Sequence, residues 1–297
     1  MDNDLILFDR LEVIKKTIEK YGIDNFYLSF SGGKDSTVVS VLLDLAIPDN
    51  QIPRVFINTG IEYNKITEFV KDKAKDDKRF IILKPTRNIR DILEKYGYPF
   101  KSKEHSHHLS IYQHSGKGVT VKKYLKEIKG NKKIVCPIPL KYQFTNDFKI
   151  KVSDQCCYKL KKEPVKKWQK LTNKNIVITG MQTNEGGARL KLTCIITDKN
   201  GDLIKFHPLA VINEQWENWF IDKYKVKLCE LYYPPYNFTR TGCKGCPYSL
   251  TLEKDLETME KYLPNERKQC EIIWKPIYNE YRRIGYRLKK TEERKLF

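Results

Sequence analysis

The chain has 297 residues, of which 40% are hydrophobic and 12% aromatic, enough for one large α/β domain or one domain with a smaller appendage. No apolar run approaches the roughly 20 residues that span a bilayer. Met1-Asp-Asn-Asp4 also lacks the basic start and apolar segment of a secretory signal, so a soluble, cytoplasmic protein without a membrane partner is expected. The net charge of +19, from 56 Lys+Arg against 37 Asp+Glu, favours polyanionic partners such as nucleic acid or nucleotides, although lysine-rich composition alone can produce it.

In chain order, Leu5, Leu7, Phe8, Leu11, Ile14 and Ile18 recur at near-helical spacing over residues 4–21. The β-prone run Phe26–Phe30 then breaks into Ser31-Gly-Gly-Lys-Asp-Ser36, and Val38, Val39, Val41, Leu42 and Leu45 continue as a helix. Arg54–Asn58 reads as a second strand, Ile66–Lys75 as a helix and Phe80–Leu83 as a third strand. This alternation predicts a parallel α/β sheet with helices on both faces, its ligands held at the carboxyl ends of the strands, where Ser31 and Asn58 fall.

From Tyr96 to about Cys136 the pattern loosens. His105, His107, His108 and His114 lie close together, either as metal ligands or, without a partnering carboxylate or cysteine pair, on a solvated or phosphate-facing loop. Cys156-Cys157 leads into a helix toward Leu171, and Asn175–Thr179 is a strand ending at Gly180. Leu190–Thr197 is β-like, Asp198–Asp202 is a turn, and a helix runs through Trp216 and Trp219. After the Tyr- and Pro-rich stretch 232–242 come Cys243-x-x-Cys246 and two helices, about 250–262 and 265–284, before a basic tail. The expected organisation is a nucleotide-binding α/β domain at 1–240, with an insertion at about 96–150, and a Cys-x-x-Cys and helical segment at 241–297.

Strand, glycine turn and helix in that order make a phosphate cradle. Gly32 and Gly33 allow close backbone approach, and the N–H groups and positive end of the new helix face an anion. Ser31, Ser36 and Thr37 add hydroxyls, and Lys34 adds a positive charge. An ordinary strand-to-helix turn is the plainer alternative. Ser31-Gly-Gly-Lys-Asp-Ser36 resembles the PP-loop, Ser-Gly-Gly-x-Asp-Ser, of the ATP pyrophosphatase superfamily. That resemblance implies an adenine-nucleotide-binding, α-hydrolase-like fold and cleavage of ATP between its α and β phosphates.

The eight cysteines read as metal ligands or catalytic thiols before disulfides. Adjacent Cys156 and Cys157 suit a single tetrahedral zinc badly, whereas neighbouring residues can reach different irons of a cubane. Buried or redox thiols are the remaining alternative.

From about residue 24 to 248 the chain resembles the phosphoadenosine-phosphosulfate (PAPS) and adenosine-phosphosulfate (APS) reductases. Cys156-Cys157 with Lys161, Glu163 and Pro164 is similar to their Cys-Cys-x3-Lys-x-Glu-Pro. Thr179-Gly180 through Glu185 and Arg189, Pro208-Leu209 with Trp216, and Gly242-Cys243-x-x-Cys246 follow in the same order. The resemblance implies a [4Fe–4S] cluster on Cys156, Cys157, Cys243 and Cys246. It departs at three points: no Glu-Cys-Gly-Leu-His-like tail is present, the loop keeps the ATP-splitting form, and Met181 stands where a basic residue is usual.

The expected enzyme holds ATP or another adenine nucleotide, with Mg²⁺, on Ser31, Gly32, Gly33, Ser36 and Thr37, with Asn58, Gly180 and Arg189 as further cofactor contacts and Lys34 and Asp35 as catalytic residues. Adenylation or sulfur transfer to an acceptor such as a nucleic acid, with a sulfur- or electron-donor protein, stands against two alternatives. One is sulfonucleotide reduction to sulfite through Cys270 or an external thiol. The other is a nucleotide- or redox-sensing module without turnover.

Overall fold

The computed structural model of the chain describes residues 2–131, 134–183 and 191–290. It forms two compact units. The first comprises residues 1–58, 62–84 and 164–242, and the second residues 59–61, 85–163 and 243–297.

The first unit is built on β1 (Phe26–Ser29), β2 (Arg54–Ile57), β3 (Phe80–Leu83), β4 (Ile176–Ile178), β5 (Ile195–Thr197) and β6 (Leu203–Phe206). They form one sheet in the order β3-β2-β1-β4-β6-β5. Every neighbouring pair is parallel except β5–β6. The central strand is β1, with Leu28 opposite Arg54 on one side and Ile178 on the other. Phe26 and Leu28 are fully buried, each stabilising the sheet by roughly 1.5–3 kcal/mol relative to exposure.

The helices α1 (Asn3–Tyr21), α2 (Lys34–Ala46), α3 (Asn64–Asp76) and α9 (Glu214–Lys223) belong to this unit, with α1 and α9 both packed on α2. The antiparallel edge follows from the turn at Asp198–Asp202. There the Asp198 carboxylate accepts from the N–H groups of Asn200 and Asp202, and Gly201 takes φ +88°. The expected parallel α/β sheet is present, and the expected β-like run and turn are followed by an added strand, β6. Leu203-Ile-Lys-Phe206 is too short to register as periodic, since only its two ends are buried.

The second unit is mainly helical. It contains α4 (Ile89–Tyr96), α5 (Lys103–Ser115), α6 (Val119–Leu125), a 3₁₀ segment (Ile138–Phe144) and α7 (Gln155–Cys157), which runs on through a π turn at Tyr158–Lys162. The helix α8 (Glu163–Thr172) continues it across the boundary, and α10 (Leu252–Tyr262), α11 (Pro264–Ile273) and α12 (Lys275–Ile284) close the chain.

The segment leaving α4 returns against itself. The Tyr98 N–H donates to Lys151 O at 2.8 Å, and the Ser153 N–H donates to Tyr98 O at 2.9 Å. Residues 85–163 share a unit with residues 59–61 and 243–297.

The histidine-rich stretch corrects the loop reading. It is helix α5, capped by Ser102, whose side chain accepts from the His105 N–H. His105 is fully buried, 2.9 Å from the Tyr124 hydroxyl and 2.7 Å from Gln143 Oε1. Burial lowers its pKa to about 4. The expected second closing helix is divided into α11 and α12 at Trp274, because Pro276 cannot donate to the preceding turn and opens a new helix instead.

Candidate functional site

Residues Ser31–Ser36 lie at the carboxyl end of β1, as the strand–loop–helix order requires. Gly32 has φ +73°, and a Cβ there would come within 2.9 Å of Ile66 and 3.1 Å of Val70. That backbone conformation and close packing on α3 both demand glycine. Gly33 is the extended N-cap of α2. Its N–H donates to Ser31 Oγ at 3.2 Å, and the Lys34 N–H donates to the Tyr232 hydroxyl at 3.1 Å.

The Ser31 N–H donates to Ser36 Oγ at 3.2 Å, and the Tyr232 and Thr241 hydroxyls lie 2.6 Å apart. Three backbone donors therefore converge on one patch ringed by hydroxyl oxygens. The Thr37 side chain is buried, and its hydroxyl donates back to Gly33 O at 2.9 Å. Ser36 donates to the same carbonyl at 3.0 Å.

Gly180, at the end of β4, lies directly against Asp35 of α2. Asn58 follows β2 and donates its N–H to Leu83 O at 2.8 Å. Because β2 is parallel to β1, Asn58 and Ser31 leave the same edge of the sheet. Arg189 and Glu185 lie outside the described residues.

Sequence reasoning missed the acids facing Lys34. Asn213 caps α9 by accepting from the Trp216 N–H at 2.8 Å, which places Glu214 and Glu217 in the first turn. Lys34 Nζ lies 3.2 Å from Glu217 Oε2 and 3.5 Å from Glu214 Oε1. The Glu217 side chain is 1% exposed. No hydrogen bond of good geometry reaches its Oε1 among the described residues, and Asp35 and Gln182 are its polar neighbours.

Burial pushes Glu217 up to about 7, and the negative charge of Asp35 adds to the rise. Burial raises Asp35 as well, against the pull of Lys34, Glu217 and Arg240. For Lys34, burial works against the ammonium, but Glu217, Glu214 and Asp35 outweigh it and the pKa is raised. The spacing of two acids at 214 and 217 behind an Asn cap was the available signal. Nothing in the sequence paired them with a lysine 180 residues away.

In the second unit Cys156, Cys157, Cys243 and Cys246 are electrostatic neighbours. Burial raises the Cys156 thiol, and Cys157, Cys243 and Cys246 each raise it further. Burial pushes Cys246 up to about 12, with Cys243 and Cys157 contributing. Among the described residues, no group of three or more His, Cys, Asp or Glu side chains is arranged around a single metal ion.

The Cys-x-x-Cys loop is held by the closing helices. Trp274 Nε1 donates to Lys244 O at 3.2 Å, the Tyr278 hydroxyl donates to Gly245 O, and the Tyr281 hydroxyl donates to Pro247 O at 2.9 Å. Gly245 has φ +59°, and a Cβ there would fall 2.4 Å from the Tyr278 oxygen and 2.7 Å from Cys270 Sγ. Within the loop, Lys244 pairs with Glu266 at 3.5 Å, both side chains at most 4% exposed. Cys270 is fully buried, and burial pushes its thiol up to about 12. That burial favours the neutral thiol over the thiolate.

The family model of the phosphoadenosine phosphosulfate reductase domain matches residues 25–136 and 138–249. The chain belongs to this family. The match carries the resemblance read from the loop and cysteine motifs, and it spans both units.

Among curated relatives, an uncharacterized protein of Methanocaldococcus jannaschii is 40% identical over 94 residues, covering 31% of this chain and 22% of that protein. The glutamine-hydrolyzing GMP synthase of Blochmanniella floridana is 46% identical over 63 residues, covering 20% of this chain and 12% of the synthase. The chain thus spans less than a quarter of either relative's length.

Three solved structures are similar at low identity. The PAPS reductase of Candida auris, a phosphate complex, has 16% identity and a TM-score of 0.44, over 78% of this chain and 93% of that one. FMN adenylyltransferase of Candida glabrata has 15% identity and a TM-score of 0.48, over 81% and 61%. NH3-dependent NAD synthetase of Campylobacter jejuni has 16% identity and a TM-score of 0.42, over 96% of each. Among the described residues, no helix is long and apolar enough to cross a membrane.

Proposed function

We propose that this member of the PAPS reductase domain family binds ATP at the Ser31–Ser36 loop and cleaves it between the α and β phosphates, transferring the adenylyl group to an acceptor. The observation that carries the reading is the grouping of the Ser31, Gly33 and Lys34 N–H donors around the start of α2, each turned to a hydroxyl oxygen. Ser31, Gly32, Gly33 and Ser36 hold the phosphates, replacing the hydroxyl oxygens that now accept from those N–H groups. Asn58 and Arg189 serve as further nucleotide contacts, and Mg²⁺ accompanies the triphosphate.

In the reaction, an acceptor oxygen attacks the α-phosphorus, a new O–P bond forms, and the α–β bridging bond breaks to release pyrophosphate. Lys34 stabilises the charge gathering on that leaving group, a contribution of several kcal/mol when preorganised in a dry site, roughly 3–4 by analogy with single oxyanion donors.

The four neighbouring thiols fit a [4Fe–4S] cluster. In a cubane each thiolate binds its own iron corner, so convergence of the four sulfurs on one point is not required. The cluster would be held by Cys156, Cys157, Cys243 and Cys246 and would supply electron transfer or Lewis acidity. The positive charge of the chain suits a nucleic acid acceptor, for which log–log salt dependence of binding would be steep.

A second reading, reduction of PAPS or APS to sulfite by an external thiol donor, is favoured by the family match itself. An anaerobic assay of the protein with ATP, APS and PAPS separates the two. Pyrophosphate from ATP supports adenylyl transfer, sulfite from a sulfonucleotide supports reduction, and binding with neither leaves a sensor.

A further inference from the structure

Lys34 is the only ammonium in the phosphate loop, yet its Nζ is directed to Glu217 and Glu214. Three carboxyl groups, Asp35, Glu214 and Glu217, surround this one cation, with Arg240 acting on Asp35 from outside. Of the three, Glu217 alone is 1% exposed, while the Glu214 side chain is 77% exposed and can be solvated without a partner.

A polyphosphate seated on the Ser31, Gly33 and Lys34 N–H groups would draw Lys34 toward itself. Glu217 would then be a buried carboxylate with no counter-ion, beside Asp35 and a newly arrived anion. Its side chain is 1% exposed, and among the described residues Gln182 is a neutral hydrogen-bonding neighbour. Uptake of a proton would neutralise Glu217. The Glu217 Oε1, which no hydrogen bond of good geometry reaches among the described residues, can take that proton, with Asp35 beside it to accept a hydrogen bond.

We propose that Glu217 is a positioning residue that holds Lys34 until an anion is captured by the Ser31–Ser36 loop, whereupon Lys34 moves to the anion and the Asp35–Glu217 pair takes up a proton. The proposal rests on the reading of this loop as a polyphosphate site. Its sign is fixed by linkage: because the bound state carries the extra proton, affinity falls as pH rises through the range where the free pair ionises. The raised pKa of Glu217, about 7, puts that range at neutral pH.

The test is calorimetric titration of the full chain with α,β-methylene-ATP, which cannot be cut between those phosphates, in buffers of different ionisation enthalpy. Wild-type protein, Glu217→Gln and Glu214→Gln are compared. The nucleotide's own titration is common to all three and cancels in their ratios. The ratio of wild-type to Glu217→Gln affinity should fall by about tenfold between about pH 7 and pH 8.5, with proton uptake approaching about one per nucleotide in the wild type and vanishing in the variant. Glu214→Gln should retain the wild-type uptake. A constant ratio, or uptake that persists in Glu217→Gln, overturns the proposal while leaving nucleotide binding in place. If no nucleotide binds at any pH, the polyphosphate reading falls and the latch falls with it.

Discussion

Gly180 and Asp35 touch backbone to backbone: a Cβ built on Gly180 would lie 2.8 Å from the carbonyl carbon, the carbonyl oxygen and the Cβ of Asp35. The end of β4 thereby sets how closely the first turn of α2 can approach the sheet. Gly180→Ala should push that turn away, costing about 1–3 kcal/mol of stability and weakening nucleotide binding together with it. Denaturant unfolding and nucleotide titration of the variant check this. Unchanged stability would show that the turn can yield freely.

Tyr278, Trp274 and Tyr281 donate to three carbonyls of the segment 244–247. Tyr278→Phe keeps the ring and removes the hydroxyl, leaving the buried Gly245 carbonyl without that donor. The expected cost is about 1–3 kcal/mol, read by chemical denaturation, with faster reaction of Cys243 and Cys246 toward a thiol reagent in metal-free protein.

His105 carries a pH dependence of stability. Its folded pKa is lowered to about 4 by burial, against about 6.5 in the unfolded chain. The unfolded state therefore binds a proton first. The contribution is complete above about pH 6.5 and is lost as pH falls toward 4, on the order of a few kcal/mol in total. His105→Gln should flatten the stability profile over that window. A variant with the wild-type slope would assign the acid sensitivity elsewhere.

The sheet was largely legible because its strands are short apolar runs closed by Gly or polar residues, as at Phe26–Ser29 and Ile176–Ile178. The strand β6 was missed because Ile204 and Lys205, on opposite faces, are both exposed and no alternation survives over four residues. Helix α5 was hidden by its composition. Only His105, Ser106 and Leu109 of its thirteen residues are buried, so the buried face is mostly polar and gives no apolar stripe. The turn between β1 and α2 was legible from local order alone. Glu217 and Tyr232 were not, because their roles come from contacts that the topology makes across nearly 200 residues.

The thiols provide a compositional test. Protein purified without oxygen should be brown and contain about four irons per chain, and Ala at Cys156, Cys157, Cys243 or Cys246 should lower the iron content. Ala at Cys136, Cys194 or Cys229 should not. One colourless zinc per chain, or full iron in Cys243→Ala, would refute the assignment.

The central claim is that an adenine nucleotide is held on the loop between β1 and α2. Gly33 has the extended φ of −81°, so a branched side chain is tolerated by the backbone there. A Cβ at this position would already stand 3.1 Å from both Ser31 Oγ and the Tyr232 hydroxyl, on the patch where the N–H donors converge. The direct measurement is ATP binding by Gly33→Val protein, with its fold verified by circular dichroism and a cooperative unfolding transition. Binding should be lost, a drop of at least about a hundredfold in affinity, equivalent to about 2.7 kcal/mol. A folded Gly33→Val protein that binds ATP as tightly as the wild type would contradict the account.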